Sequence, residues 1–152
     1  MTAAPPRSPE QRKADTITML TTPGIDVWVA TAGDGGAHLV PLSLAWIDEQ
    51  VVVALPADSI TARNLSTSRT ARLAVGPTRD VVMIDSVLED LVAVEDAPAG
   101  LIDGYCAQAD WDPRSAGGGY VLARLRPLRL QAWREANEIA GRTLMRDGAW
   151  AV

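Results

Sequence analysis

Side chains able to do chemistry unaided are sparse in this chain. Its one histidine, His38, has the chemistry of a general base, but it lies in phase with Val40, Leu42, Leu44 and Trp46 on a bulky apolar strand face. A core or rim imidazole is the simpler reading there. No second histidine exists to complete a metal cluster or a histidine-containing triad, so no metal site is expected. The single cysteine, Cys106, sits between Tyr105 and Ala107 in an apolar stretch that suits a structural thiol. The carboxylate pairs Glu89-Asp90 and Glu95-Asp96 flank strand ends, where solvated turns are usual. Gly117-Gly118-Gly119 lacks the Lys and Ser or Thr of a phosphate-cradling loop, and no GxGxxG run is present. If the chain is an enzyme, a bound cofactor carries the reactivity.

Charge placement is more informative than total charge. The formal net charge is -5, which disfavours a general nucleic-acid binder, because affinity for a phosphate backbone rests on a surplus of Lys and Arg. Between residues 59 and 79, however, lie Arg63, Arg69, Arg72 and Arg79 with no acid, so that segment is +4 while the rest of the chain sums to -9. Such a local patch on an acidic protein suits a small anionic ligand, and solvated surface arginines would give the same pattern. At 152 residues and 47% hydrophobic, the chain fits one domain with a sizeable core. One cysteine forms no internal disulfide, and no basic cap precedes a long apolar run. The expectation is a cytoplasmic protein with no membrane and no nucleic-acid partner.

The elements that must position any site follow from punctuation and period. Residues 1–7, rich in Pro and small side chains, read as a flexible tail, and residues 8–152 as a single domain. Ser8-Pro9-Glu10-Gln11 reads as a helix start with a capping box, and Ala14, Ile17 and Leu20 as the helix's apolar stripe. From Ile25 the period changes to two. Strands are expected at 27–30, 38–46 and 51–55, joined by turns at 33–36 and 48–50. On the second of these, Leu39, Pro41, Ser43 and Ala45 share a small, partly polar face that a planar ring could approach closely. Pro41 has no N–H to give a ladder, so the strand is an edge or irregular there. Asp58 or Ser59 can cap a short helix through Leu65. Further strands are expected at 72–75, 81–85, 91–94, 120–134 and 142–145, with a helix at 98–107 capped by Asp96. Short strands with two or three helices indicate a mainly β protein, a six- to seven-stranded antiparallel barrel.

The block at residues 37–65, AHLVPLSLAW-IDEQ-VVVALPADSITARNL, resembles the split-barrel flavin-binding superfamily, the pyridoxamine 5'-phosphate oxidase-like proteins. With the closing GRTLMRDGAW it is most similar to members grouped with deazaflavin-dependent oxidoreductases. The resemblance implies an FMN-binding split barrel that acts as a homodimer. It implies hydride transfer between coenzyme F-420, an 8-hydroxy-5-deazaflavin, or FMN, and a small-molecule substrate. By the same resemblance, Val40, Pro41, Leu42 and Ser43, with Leu55, line the ring. The turn matching residues 58–64 holds the phosphate through Ser59, Thr61, Arg63 and Asn64, but Ile60 and Thr61 stand where the family has two basic residues. Trp133 and Arg142 match a Trp and an Arg contributed by the partner subunit. No catalytic side chain is assigned. The competing expectations are a flavin- or deazaflavin-binding protein without turnover, and a haem-binding split barrel with His38 as its only imidazole.

Overall fold

Two long strands whose faces are sorted by alternation set the architecture. The computed structural model describes residues 3–152; Met1 and Thr2, the start of the expected tail, lie outside the described residues. In chain order the elements are α1 (Pro9–Leu20), β1 (Asp26–Gly33), β2 (Gly36–Ile47), β3 (Gln50–Pro56), α2 (Ile60–Ser68), β4 (Thr70–Val75), β5 (Val81–Ala93), α3 (Ala99–Ala109), β6 (Tyr120–Trp133), β7 (Thr143–Arg146) and β8 (Ala149–Trp150). The strands form one antiparallel sheet in the order β3-β2-β1-β4-β5-β6-β7-β8, and pairing of β3 with β6 closes the first six into a barrel. This is the split-barrel architecture expected from the sequence, with β7 and β8 added at one side.

β6 makes the closure possible by changing partners along one edge. Its first half pairs with β3, from Pro56↔Tyr120 to Val51↔Leu125, and its second half with β7 at Leu130↔Met145. Pro127 falls between the two stretches, where a missing N–H does no harm. β5 corrects the sequence reading. The stretches 81–85 and 91–94 belong to one 13-residue strand, bent by irregularities at Asp85/Ser86 and Leu88/Asp90. Bulges turn the strand there without ending it.

Inward-facing residues of alternate register, such as Val27, Val29, Leu44, Val53, Leu73 and Ile84, fill the barrel. β3 is buried on both faces because α3 lies over Val52 and Ala54, together with Ala45 and Leu122. That double burial explains its unbroken VVVAL run. Three cap and stripe readings change. Asp96 does not cap α3, whose N-cap is Pro98 without a side-chain bond. Ser8 caps α1 through the Gln11 N–H, but the Gln11 side chain donates to Asp15, leaving the capping box half made. Finally, α1 buries Arg12, Thr16 and Leu20, while Ala14 is exposed. Arg12 turns inward because the backbone carbonyls of Glu138 and Gly141 accept its Nη1 hydrogens, at 3.2 and 3.0 Å.

Candidate functional site: a groove between α2 and the first hairpin

Ser59 fixes the start of α2: its Oγ accepts the Ala62 N–H at 3.1 Å. Thr61, Ala62 and Leu65 then turn into the protein, which leaves Ile60, Arg63, Asn64 and Thr67 facing the tip of the β1–β2 hairpin. Between them and Gly33, Asp34 and Gly35 lies a cavity of about 430 Å3. Asn64 donates from Nδ2 to the buried Thr31 hydroxyl at 3.1 Å. Arg63 donates from Nη1 to the Asp58 carbonyl at 3.0 Å and has no carboxylate partner among the described residues. The groove therefore carries one guanidinium free of a carboxylate partner beside a helix start, a setting that attracts an anion, with the Asp34 carboxylate at the hairpin tip on its other wall.

The wider arginine patch does not assemble there. Arg69 is turned to the Leu88 and Glu89 carbonyls, Arg72 pairs with Asp85 at 3.2 Å, and Arg79 holds Glu135 with two short contacts. Acids distant in sequence neutralise what looked cationic locally. Ile60, at one of the two positions where a base is expected by resemblance, is 47% exposed, whereas Thr61 is buried.

The outer face of the same hairpin is apolar. β2 presents Leu39, Pro41 and Ser43 outward, and β1 places Trp28 opposite Pro41 and Ala30 opposite Leu39. Trp28 is 49% exposed and Leu39 59%. Along this stretch β2 pairs only with β1, so its other edge is free and Pro41 sits there without breaking a ladder. Val40 and Leu42 face the barrel, and Leu55 is buried in the core, so a ring on the outer face meets only backbone at those three positions. Leu39 lies on the face read from the sequence as open to a ring, whereas Trp28 and Gly33 were not among the residues singled out there. A tryptophan between Val27 and Val29 was the available signal, since alternation alone puts it on the outer face.

Trp133 and Arg142 do meet. The guanidinium carbon lies 5.7 Å from the ring centroid, and Arg142 donates to the Ile139 carbonyl at 3.0 Å. They stand at the other end of the barrel from α2. Trp133 pairs with Val81, whose neighbour Val82 connects through Val75 to Val27, while Gly33 lies six residues further along β1. That is roughly 20 Å of strand at the usual rise. Within one chain the two halves of the expected site stay apart. Elsewhere, Cys106 is half-buried, and desolvation together with Asp112 pushes its thiol up, away from a reactive thiolate.

No protein-family model and no curated protein sequence matches the chain. Solved structures do match. An F-420 reductase shares the fold at a TM-score of 0.62 and 16% identity, covering 74% of this chain and 93% of that one. A pyridoxamine 5'-phosphate oxidase-related, FMN-binding protein from Nostoc punctiforme matches at a TM-score of 0.51 and 11% identity, over 82% and 78%. A haem-binding protein from Mycobacterium smegmatis matches at 0.60 and 17% identity, with 93% of this chain but only 58% of that protein covered. These likenesses, at 11 to 17% identity, show that the closed six-stranded barrel of this chain is the split-barrel fold of these structures.

Proposed function

We propose that this chain is an oxidoreductase that transfers hydride between a bound deazaflavin, coenzyme F-420, or FMN, and a small organic substrate. The observations that carry the reading are the outward apolar face of Trp28, Leu39 and Pro41 and, at the tip of the same hairpin, the α2 groove with its arginine free of a carboxylate partner. A flat ring and an anionic tail fit that pair of surfaces. The residues present suit a tail held by one guanidinium and helix N–H groups better than the compact dianion of FMN, since Ile60 supplies no charge. This favours the deazaflavin.

When bound, the coenzyme supplies a ring carbon that gives or accepts hydride. The chain's own tasks are to orient the ring and to exclude water. Trp28, Leu39 and Pro41 pack against one ring face, and Ser43, half-buried on the same side, offers a hydroxyl to polarise it. Arg63, Asn64 and Ser59 fix the tail end. Trp133 and Arg142 are read as completing the groove of a second copy, because they lie far from α2 in their own chain, and a homodimer covers the exposed Trp28 and Leu39. Among the described residues no helix is long and apolar enough to cross a membrane, and we read the protein as cytoplasmic.

A binding protein without turnover would use the same groove, and the exposed Ile60 favours that second reading. Haem is less well served. His38 shares the inward register of Val40 and Leu42, so the outer face offers no imidazole.

The deciding experiment is a parallel titration with coenzyme F-420 and FMN, read by tryptophan fluorescence in the native chain and in Trp28→Phe. Tight F-420 binding with a quench that shrinks in Trp28→Phe is expected. Binding of neither at micromolar concentration would overturn the proposal.

A further inference from the structure

A second cavity of about 460 Å3 lies at the start of α3, and it shares no residue with the α2 groove. Its apolar walls are Ile47, Val92, Pro98 and Leu101. Its polar groups are Asp48, Gln50, Asp90 and Arg124. The cavity exists because α3 covers only part of the outer sheet. The helix lies close over Ile47 at Gly104, where an added Cβ would stand 3.2 Å from Ile47 Cδ1. Beyond its first turn the outer registers of β3 and β6 change from Val52 and Leu122, which it covers, to Gln50 and Arg124, which it does not.

The charges in this cavity do not balance. Arg124 gives Nε to Asp90 Oδ1 at 2.8 Å and Nη2 to Asp90 Oδ2 at 2.5 Å, a two-pronged pair that neutralises both groups. Asp48 has no hydrogen bond or ion pair to its side chain among the described residues. One carboxylate is thus left over, beside four apolar side chains, in a protein of net charge -5. An anionic ligand would face an unpaired carboxylate; a cation would answer it. The volume lies within the range of small-molecule sites.

We propose that this cavity binds a small organic ammonium ion. Asp48 takes the ammonium, Gln50 offers its carbonyl oxygen, and Ile47, Val92 and Leu101 pack on the hydrocarbon body. The site is separate from the coenzyme groove, and its occupancy does not depend on the redox reading.

The test uses the full chain and two probes of matched body and opposite charge, phenethylammonium and phenylacetate, followed by ligand-observed NMR and calorimetry. Saturable binding of phenethylammonium is expected, with phenylacetate at least about tenfold weaker. Asp48→Asn is a clean variant because residue 48 sits at φ +51, a conformation that Asn tolerates as well as Asp. It should weaken phenethylammonium about fivefold, as loss of a partly solvated charge pair does. Leu101→Ser should weaken it by lost contact, and Arg63→Ala should leave it unchanged. Equal affinity for the two probes, unchanged affinity in Asp48→Asn, or no saturation by about 10 mM would overturn the proposal.

Discussion

Gly33 and Asn64 interlock: a Cβ placed on Gly33 would lie 2.0 Å from Asn64 Oδ1 and 2.9 Å from its Cγ. The absence of a side chain on the hairpin is what lets Asn64 reach Thr31 and close one wall of the groove. Gly33→Ala must therefore push Asn64 away. We expect loss of the Asn64–Thr31 bond, a destabilisation of about 1 to 3 kcal/mol, and weaker coenzyme binding. Gly35→Ala is the control, because nothing lies within 4 Å of its added Cβ. Equal behaviour of the two variants in urea melts and titrations would show that the interlock is not needed.

Ile60 tests the assignment of the groove by gain of function. It is exposed at the first turn of α2, so Arg there reaches solvent without disturbing the core. A charge-assisted bond to phosphate is worth roughly 1.5 to 3 kcal/mol, so Ile60→Arg should tighten FMN by about ten- to a hundredfold. Arg63→Ala should act in the opposite direction. Flavin fluorescence quenching reads both. If Ile60→Arg leaves FMN affinity unaltered, the phosphate does not sit at α2.

The hairpins of the barrel were legible in the sequence because alternation between residues 37 and 55 encodes both faces of β2 and the burial of β3. Ser59 was legible as a cap because capping is local. What could not be read depends on residues far apart in the chain. Arg12 is buried in α1 because the 138–141 backbone, more than 120 residues away in the chain, supplies its acceptors. Arg72 and Arg79 looked free until the fold brought Asp85 and Glu135 to them. Ser86 and Glu89-Asp90 resemble turn residues, and β5 absorbs them as bulges only because β4 and β6 hold it on both sides. In the candidate groove, Ile60, Arg63 and Asn64 stand together because they are close in sequence on α2, just after Ser59. Trp28 and Gly33 owe their positions to register alone.

Gln108 closes an edge that the strands leave open. β2 runs past the start of β1, whose paired register begins at Asp26↔Ser43, so the Trp46 N–H has no strand to donate to. Gln108 Oε1 accepts it at 2.8 Å, and Gln108 Nε2 donates to the Leu20 carbonyl at 2.7 Å. One amide thereby ties α3 to both β2 and the end of α1. Gln108→Leu keeps the volume but leaves a donor and an acceptor unpaired, a cost of about 1 to 3 kcal/mol. The urea midpoint should fall with no change in slope. An unshifted midpoint would mean that water replaces both bonds.

Glu138 links stability to acid. It is 2% exposed and anchors Arg7: Oε1 accepts the Arg7 N–H and Nε hydrogen at 3.0 Å each, and Oε2 accepts from Nη2 at 2.8 Å. These bonds, with one from the Arg134 N–H, lower its pKa from 4.5 to about 2 against the opposing effect of burial. Because the folded pKa is the lower one, the stabilisation is complete above the unfolded value. It is lost as the pH falls from about 4.5 to about 2. The difference corresponds to about 3 kcal/mol. Asp15, Asp90 and Asp112, also lowered by arginine partners, lose stabilisation as the pH falls below the ordinary carboxylate range in any variant that retains them. Glu138→Gln removes only its own share, so the native chain should lose about 3 kcal/mol more than the variant between pH 5 and pH 2, measured by urea unfolding. Parallel acid limbs in the two proteins would show that the Arg7 clasp does not contribute to the folded state's proton linkage.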